Sequence, residues 1–241
     1  DEDLSFESSN STSEEDVKQL NDDKNEIGEV KGEFEHDYDE DEHKYFSEIL
    51  DHYKVKSDNV PAKITIGERK GEHVRVYKLD RPEVSGGTGA FVENLRDKVV
   101  QTVELSREEF TESNEEEKVK EKFKKAVESE LKKRIPEADE QVVQILIGNL
   151  LHEMVGLGDL EILLEDPNLE EMVVNNAEEP TWVYHKQYGW LKTNILFEDE
   201  NEIYNYASDI ARRVGKNITS LNPLLDAHLR TGDRTNATLS P

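Results

Sequence analysis

The spacing of apolar residues changes period several times along the chain, and each change predicts an element. Over residues 43–55 ("HKYFSEILDHYKV"), Tyr45, Phe46, Ile49 and Tyr53 fall at helical spacing and predict a short helix. "AKITIGERKGEHVRVYKL" alternates apolar and polar positions on both sides of Gly71, a β-hairpin pattern. Thr88 reads as the N-cap of a helix whose inner face is Phe91, Leu95, Val99 and Val103. "EEEKVKEKFKKAVESELKKRI" predicts a charged helix with acids early and bases late, as the helix dipole favours, and Pro136 ends it. "DEQVVQILIGNLLHEMVG" predicts the most buried helix, with Val143, Ile147, Leu150, Leu151 and Met154 inward and Gly156 and Gly158 at its end.

After Gly158 the period shortens. Residues 160–165 predict a short helix, and "EMVVNN", "TWVYH" and "WLKTN" predict strands separated by turn signals. "DENEIYNYASDIARRVG" predicts an amphipathic helix with Ile203, Tyr206, Ile210 and Val214 inward. "LLDAHL" and "RTNATL" predict a hairpin across "RTGD". Helices and strands alternate without a parallel-sheet rhythm, so the expected fold class is α+β.

Charge divides the chain further. Its 56 acidic and 30 basic side chains give a net charge of -26. Residues 1–42 hold 18 acids and 3 bases, residues 43–135 hold 19 and 20, and residues 136–241 hold 19 and 7. Three segments are expected: a disordered acidic tail (1–42), too poor in large apolar residues to offset its ordering entropy; a mainly helical subdomain with a β-hairpin (43–156); and an α+β domain (157–241). The acid excess argues against nucleic acid as a partner, because phosphate neutralisation needs a basic face. It fits solubility, with a partner-binding tail as the other reading. The absence of cysteine excludes disulfides and thiolate metal sites. The seven histidines show no metal-ligand spacing, and no stretch approaches the roughly 20 apolar residues of a membrane span. The glycines of "VSGGTG" suggest a phosphate loop but lack the following Lys-Ser/Thr; no G-x-x-x-x-G-K-[ST] occurs in the 241 residues.

The residues from about 145 onward carry a resemblance. "GLGDLEILLEDPNLEEMVVNN", "WVYHKQYGWLKTNILFEDE" and "IARRVGKNITSLNPLLDAHLRTGDRTNATLSP" follow one another in an order similar to the N-terminal region of secretion-type traffic ATPases. These are the hexameric motors of type II and type IV secretion, pili and the archaellum, and the archaeal branch is the most similar. The family pattern runs Gly-hydrophobic-Gly, Leu-Leu-x-Asp-Pro, Glu-x-hydrophobic-x-Val-Asn, Val-Tyr-x-His, Thr-Asn-Ile, Ala-Arg-Arg-x-Gly and Asp-Gly-x-Arg-x-x-Ala-x-x-x-Pro. This chain departs at the last turn, with Arg230 where Pro is usual, Thr231 for Asp, and His228 where Arg is common.

The resemblance implies a chain truncated before a nucleotide-binding core, with a small two-layer, PAS-like α/β domain and a mostly antiparallel sheet. It implies ATP and Mg²⁺ as cofactors of the parent protein, with the Mg²⁺ ligands outside this fragment. The implied partners are the parent's own C-terminal ATPase domain, neighbouring subunits of a homohexamer and a membrane platform protein. The implied location is cytoplasmic, at the inner face of the membrane. The alternative is a non-catalytic interaction module of such a platform.

Within this resemblance, arginines of the N-terminal domain complete the charge shell around a γ-phosphate when the domains close. Arg234 is the best-matched candidate, Arg212 and Arg213 come second, and Arg230 is the least defined. Each has a plainer reading. Arg234 can pair with Asp226 or Asp233, Arg212 and Arg213 suit a helix C-terminus, and Arg230 suits a surface turn. His185 reads as a strand-end surface residue, and Trp182, Tyr184, Tyr188 and Trp190 as packing.

Overall fold

The computed structural model describes residues 38–82, 86–103, 116–229 and 232–239. In chain order the elements are α1 (Tyr38–Tyr45), β1 (Glu48–Ser57), β2 (Val60–Glu68), β3 (Val76–Asp80), α2 (Gly86–Thr102), α3 (Glu116–Arg134) and α4 (Glu140–Met154). Then follow α5 (Leu160–Leu164), β4 (Leu169–Val173), β5 (Trp182–His185), β6 (Gly189–Thr193), α6 (Glu200–Arg213), β7 (Leu224–His228) and β8 (Arg234–Thr238). The fold is α+β. Six strands form one sheet in the order β1-β2-β3-β6-β5-β4, and β7 and β8 form a separate pair. All neighbours are antiparallel except β3 and β6, which run parallel through Val76↔Lys192 and Tyr77↔Thr193. The sheet therefore takes strands from both sides of residue 156, where the sequence reading divides the chain.

Two expectations near the start need correction. Residues 48–57 form strand β1, not part of a helix. The alternation of Tyr53, Val55 and Ser57 with Lys54 and Lys56 prevails over the helical spacing of Tyr45, Phe46, Ile49 and Tyr53, because β1 finds β2 as a partner. The connecting residues Asp58 and Asn59 have φ of 47° and 71°, the left-handed pair that a two-residue hairpin turn requires. The second correction concerns residues 38–42, which belong to α1. There the buried Glu42 accepts a hydrogen bond from Thr65 Oγ1 at 2.7 Å and pairs with Lys63 at 2.7 Å. The remainder of the acidic tail lies outside the described residues.

Helices α2, α3 and α4 enclose a core of their own. Phe91, Leu95 and Val99 meet Val119, Phe123, Val127 and Leu131, and both rows meet Val142, Leu146, Ile147, Leu150 and Leu151. Thr88 lies inside α2 rather than capping it, since the helix already starts at Gly86. On α4, Val142 and Leu146 are buried, whereas Val143 and Met154 pack at the margin. Asp139 caps α4 by accepting from Gln141 N at 2.7 Å. The tip of the β1–β2 hairpin sits directly on α4: a Cβ at Gly148 would lie 2.3 Å from Asp58 O.

The second core lies against the sheet. Ile64, Ile66, Tyr77, Leu79, Val183 and Leu191 meet Leu160, Ile162 and Leu163 of α5, Ile210 and Ala211 of α6, and Leu225 and Ala227 of β7. The sequence-predicted inner face of α6 holds, with Ile210 buried and Ile203, Tyr206 and Val214 packed around it. Among the described residues no helix is long and apolar enough to cross a membrane.

Candidate functional site

The β7–β8 hairpin presents the residues of most chemical interest. Along β7, Leu225 and Ala227 point into the core and Leu224, Asp226 and His228 point out; along β8, Arg234, Asn236 and Thr238 point out. The register pairs His228 with Arg234 and Asp226 with Asn236, so Arg234 and Asp226 are diagonal neighbours on the exposed face. Arg234 donates from Nε to Asp226 Oδ1 and from Nη2 to Asp226 Oδ2, both at 3.0 Å. This is a planar bidentate pair, with side chains 59% and 58% exposed. The hydrogen bonds from Arg234 hold the Asp226 carboxyl below the usual carboxylate range, and the same pairing raises the guanidinium.

In so exposed a pair the effect on stability is small and the effect on orientation is the larger one. The contact uses the Nε–Nη2 edge and fixes the plane of the cation. Below it, Leu229 N donates to Asp233 O at 2.8 Å and Gly232 N to Leu229 O at 3.0 Å, with Gly232 at φ 101°. Arg230 lies outside the described residues.

The other arginines do not join this pair. Arg212 forms an ion pair with Asp209 on its own helix, and Arg213 donates to Val155 O at 2.7 Å. Arg213 thus serves a carbonyl at the end of α4, where helix carbonyls lack intrahelical partners. Of the candidate arginines, Arg212 meets Asp209, Arg213 meets Val155 O and Arg234 meets Asp226.

Two buried polar groups were not legible in the sequence. The first centres on Asp166, of the "LLEDP" turn between α5 and β4. Asp166 is 3% exposed; its Oδ2 accepts from Tyr53 Oη at 2.6 Å and Tyr77 Oη at 2.8 Å, and its Oδ1 from Asn168 N at 2.9 Å. One carboxylate thereby ties β1, β3 and the α5–β4 turn together. Burial, reinforced by this carboxylate, raises both tyrosine hydroxyls well above their ordinary pKa. His185 stands beside them, buried rather than on the surface. Its Nδ1 accepts from Gln187 N at 3.1 Å and Tyr188 N at 3.3 Å. The neutral ring therefore carries its proton on Nε2. Burial lowers its pKa, against the opposing pull of Asp166 and Asp51.

The second group joins the hairpin tip to α4. His152, fully buried, places Nε2 3.2 Å from Ser57 Oγ and 3.5 Å from Asp58 Oδ2. The Asp58 carboxyl, hydrogen-bonded by His152 and paired with Lys120, is pulled down to about 2 against partial desolvation. Ser, His and Asp here are not a nucleophilic triad: both partners address the same ring nitrogen, whereas an orienting carboxylate must hold the other one. The group acts as a stitch. Among the described residues no cluster of three or more His, Cys, Asp or Glu is arranged to hold a metal ion. Tyr184 and Trp190 form a cross-strand pair with ring centroids 5.3 Å apart.

Fold and site together define an α+β protein that carries an oriented guanidinium on an exposed hairpin face. No protein-family model matches the chain. It belongs to the family of the uncharacterized protein MJ1288 of Methanocaldococcus jannaschii: the two are 32% identical over 178 residues, 74% of this chain and 69% of the relative. Two further proteins of that organism match shorter stretches. The uncharacterized protein MJ0900 is 38% identical over 87 residues, 36% of this chain and 16% of its own length. The uncharacterized protein MJ0781 is 43% identical over 82 residues, 34% of this chain and 11% of its own length.

Proposed function

We propose that the chain is the N-terminal part of a secretion-type traffic ATPase, a ring-forming motor that drives assembly or transport of pilin-like or secreted proteins. The observation that carries this reading is Arg234. It occupies the arginine of the Gly-x-Arg-x-x-Ala pattern ("GDRTNA") and is held in plane by Asp226 on an outward face. An arginine that completes a phosphate shell on domain closure needs that combination of fixed geometry and access. The shared stretches in MJ0900 and MJ0781 add support, since they are small parts of longer chains, as a module joined to an engine would be.

The described residues fit the contributing role only. The resemblance assigns this chain the contributing arginines, with ATP and Mg²⁺ held mainly by other parts of the parent protein. Bound there, ATP supplies the phosphoryl group whose developing charge Arg234 would meet. This chain's task is to orient the cation, through Asp226, and to seat the hairpin, through Leu225 and Ala227. Membrane attachment would come from a platform protein at the inner face of the membrane.

Reading the coding sequence past Pro241 tests the proposal. A G-x-x-x-x-G-K-[ST] loop in frame shortly afterwards supports it. A frame that closes without one removes the site that Arg234 would complete. The chain would then be an interaction module, with the exposed Leu221 and Leu224 beside the hairpin as its first candidate contacts.

A further inference from the structure

His185 is a buried titratable group that the proposed function leaves unused. It closes β5 and is 3% exposed. Its Nδ1 accepts two amides of the β5–β6 turn, Gln187 N at 3.1 Å and Tyr188 N at 3.3 Å. The ring takes the place that an Asn or Asp side-chain oxygen fills in other turns. A neutral imidazole can do this because Nδ1 keeps its lone pair. An imidazolium cannot, since both nitrogens carry protons and Nδ1–H then faces two N–H donors. Nε2 meets no acceptor among the described residues, so a ring charged in place would be buried with neither proton accepted.

The surrounding charges decide where a charged ring goes. Asp166, from the α5–β4 turn, and Asp51, from β1, attract an imidazolium, and Lys186 on the turn itself repels one. Lys186 is tied to Pro167 O. The rings of Tyr53 and Tyr188 lie 6.2 Å and 5.0 Å from that of His185, centroid to centroid. Arg75, just before β3, stands 6.0 Å from the Tyr188 ring. Asp166 is occupied by short bonds from Tyr53 on β1 and Tyr77 on β3. Asp51 Oδ2 receives only a longer bond, 3.3 Å, from Tyr188 Oη, and that is the contact an imidazolium can displace.

We propose that His185 is a pH-sensitive latch: protonation of Nδ1 removes the acceptor from Gln187 N and Tyr188 N, opens the β5–β6 turn and turns the ring toward Asp51. Burial holds the ring below its ordinary 6.5, against the pull of the two carboxylates. The open turn therefore binds the proton first. The closed turn is fully favoured above pH 6.5 and is lost as pH falls through the lower, folded value. The part that opens is the end of the sheet beside the β2–β3 turn, where Lys192 Nζ meets Glu72 at 3.0 Å. Trp190, 45% exposed, follows the turn, so opening enlarges an aromatic surface. The latch stands independently of the ATPase proposal.

Nuclear magnetic resonance of the full chain labelled with ¹⁵N, titrated from about pH 8 downward, tests the inference. Ring-nitrogen shifts report the tautomer and charge of His185. Amide hydrogen exchange, corrected for its intrinsic pH dependence, reports the turn. The expected result is an Nε2–H tautomer at high pH, then a several-fold loss of protection at Gln187 and Tyr188 with the midpoint of the His185 titration. Thr181 and Thr193, bonded at the other end of the same hairpin, should keep their protection. His185→Asn, whose side-chain oxygen accepts from the turn but does not titrate, should hold the turn closed over the same range. Unchanged protection at Gln187 and Tyr188 while His185 titrates overturns the inference. So does a ring that stays neutral until the fold itself is lost, an Nδ1–H tautomer at high pH, or a turn that opens equally in His185→Asn. Should that variant fail to fold, the wild-type titration still decides.

Discussion

Replacing Asp166 by Asn should loosen the junction of β1, β3 and the α5–β4 turn. The carboxylate accepts from two tyrosine hydroxyls and one backbone amide while almost wholly buried. Hydrogen bonds to a charged group contribute about 1.5–3 kcal/mol each. An amide of the same shape has one acceptor oxygen, so it serves fewer of the three donors. It is also less costly to bury than a carboxylate, which offsets part of the loss. The net expectation is about 2–4 kcal/mol, a large fraction of a domain stability of about 5–15 kcal/mol. For a folded unit of this size that lowers the melting temperature by roughly 5–15 °C.

Urea and thermal denaturation followed by circular dichroism measure the change, and a double-mutant cycle assigns it. Tyr53→Phe should cost about 1.5–3 kcal/mol with Asp166 present and under about 0.5 kcal/mol in the Asn background. Equal costs in both backgrounds, or an Asp166→Asn protein melting with the wild type, would refute the carboxylate as the hub.

Three other outcomes follow from the structure. Gly148→Ala gains helix propensity but sets a methyl 2.3 Å from Asp58 O and 2.6 Å from Val60 Cγ2; the overpacking prevails, for a net loss of about 1–3 kcal/mol in urea melts. The Asp58 carboxyl falls from its ordinary 3.8 to about 2 on folding. The unfolded chain thus binds the extra proton first, and the stability owed to Asp58 is present above pH 4 and lost between about pH 4 and 2. That loss should be absent from the acid titration of Asp58→Asn. Asp226→Ala should leave the melting temperature within about 1 °C of wild type, because the pair is exposed; a large drop would make it a structural clamp rather than an orienting contact.

How much the sequence discloses depends on the range of the interaction that decides each feature. Helices α2 to α6 are legible because their buried rows recur within each helix. Strand β1 is not, because Tyr45, Phe46, Ile49 and Tyr53 imitate a helix, and only pairing with β2 and the left-handed Asp58–Asn59 turn resolves the ambiguity. The β7–β8 hairpin is legible from its alternation, and of the two acids open to Arg234 the register selects Asp226. Arg213 meets Val155 across 58 positions and Tyr53 meets Asp166 across 113, and no local pattern encodes either contact. His185 stands at a strand end, which suggests exposure, yet it is buried beside Tyr53 and Tyr188.

The most direct test of the proposed function is ATP hydrolysis by the complete protein whose sequence contains these 241 residues, comparing wild type with Arg234→Ala and Arg234→Lys. The account predicts a fall in kcat of about 10²-fold or more for Ala, with nucleotide binding largely kept and only partial rescue by Lys, which lacks the planar fork. Hydrolysis that proceeds at the wild-type rate without Arg234 would contradict it.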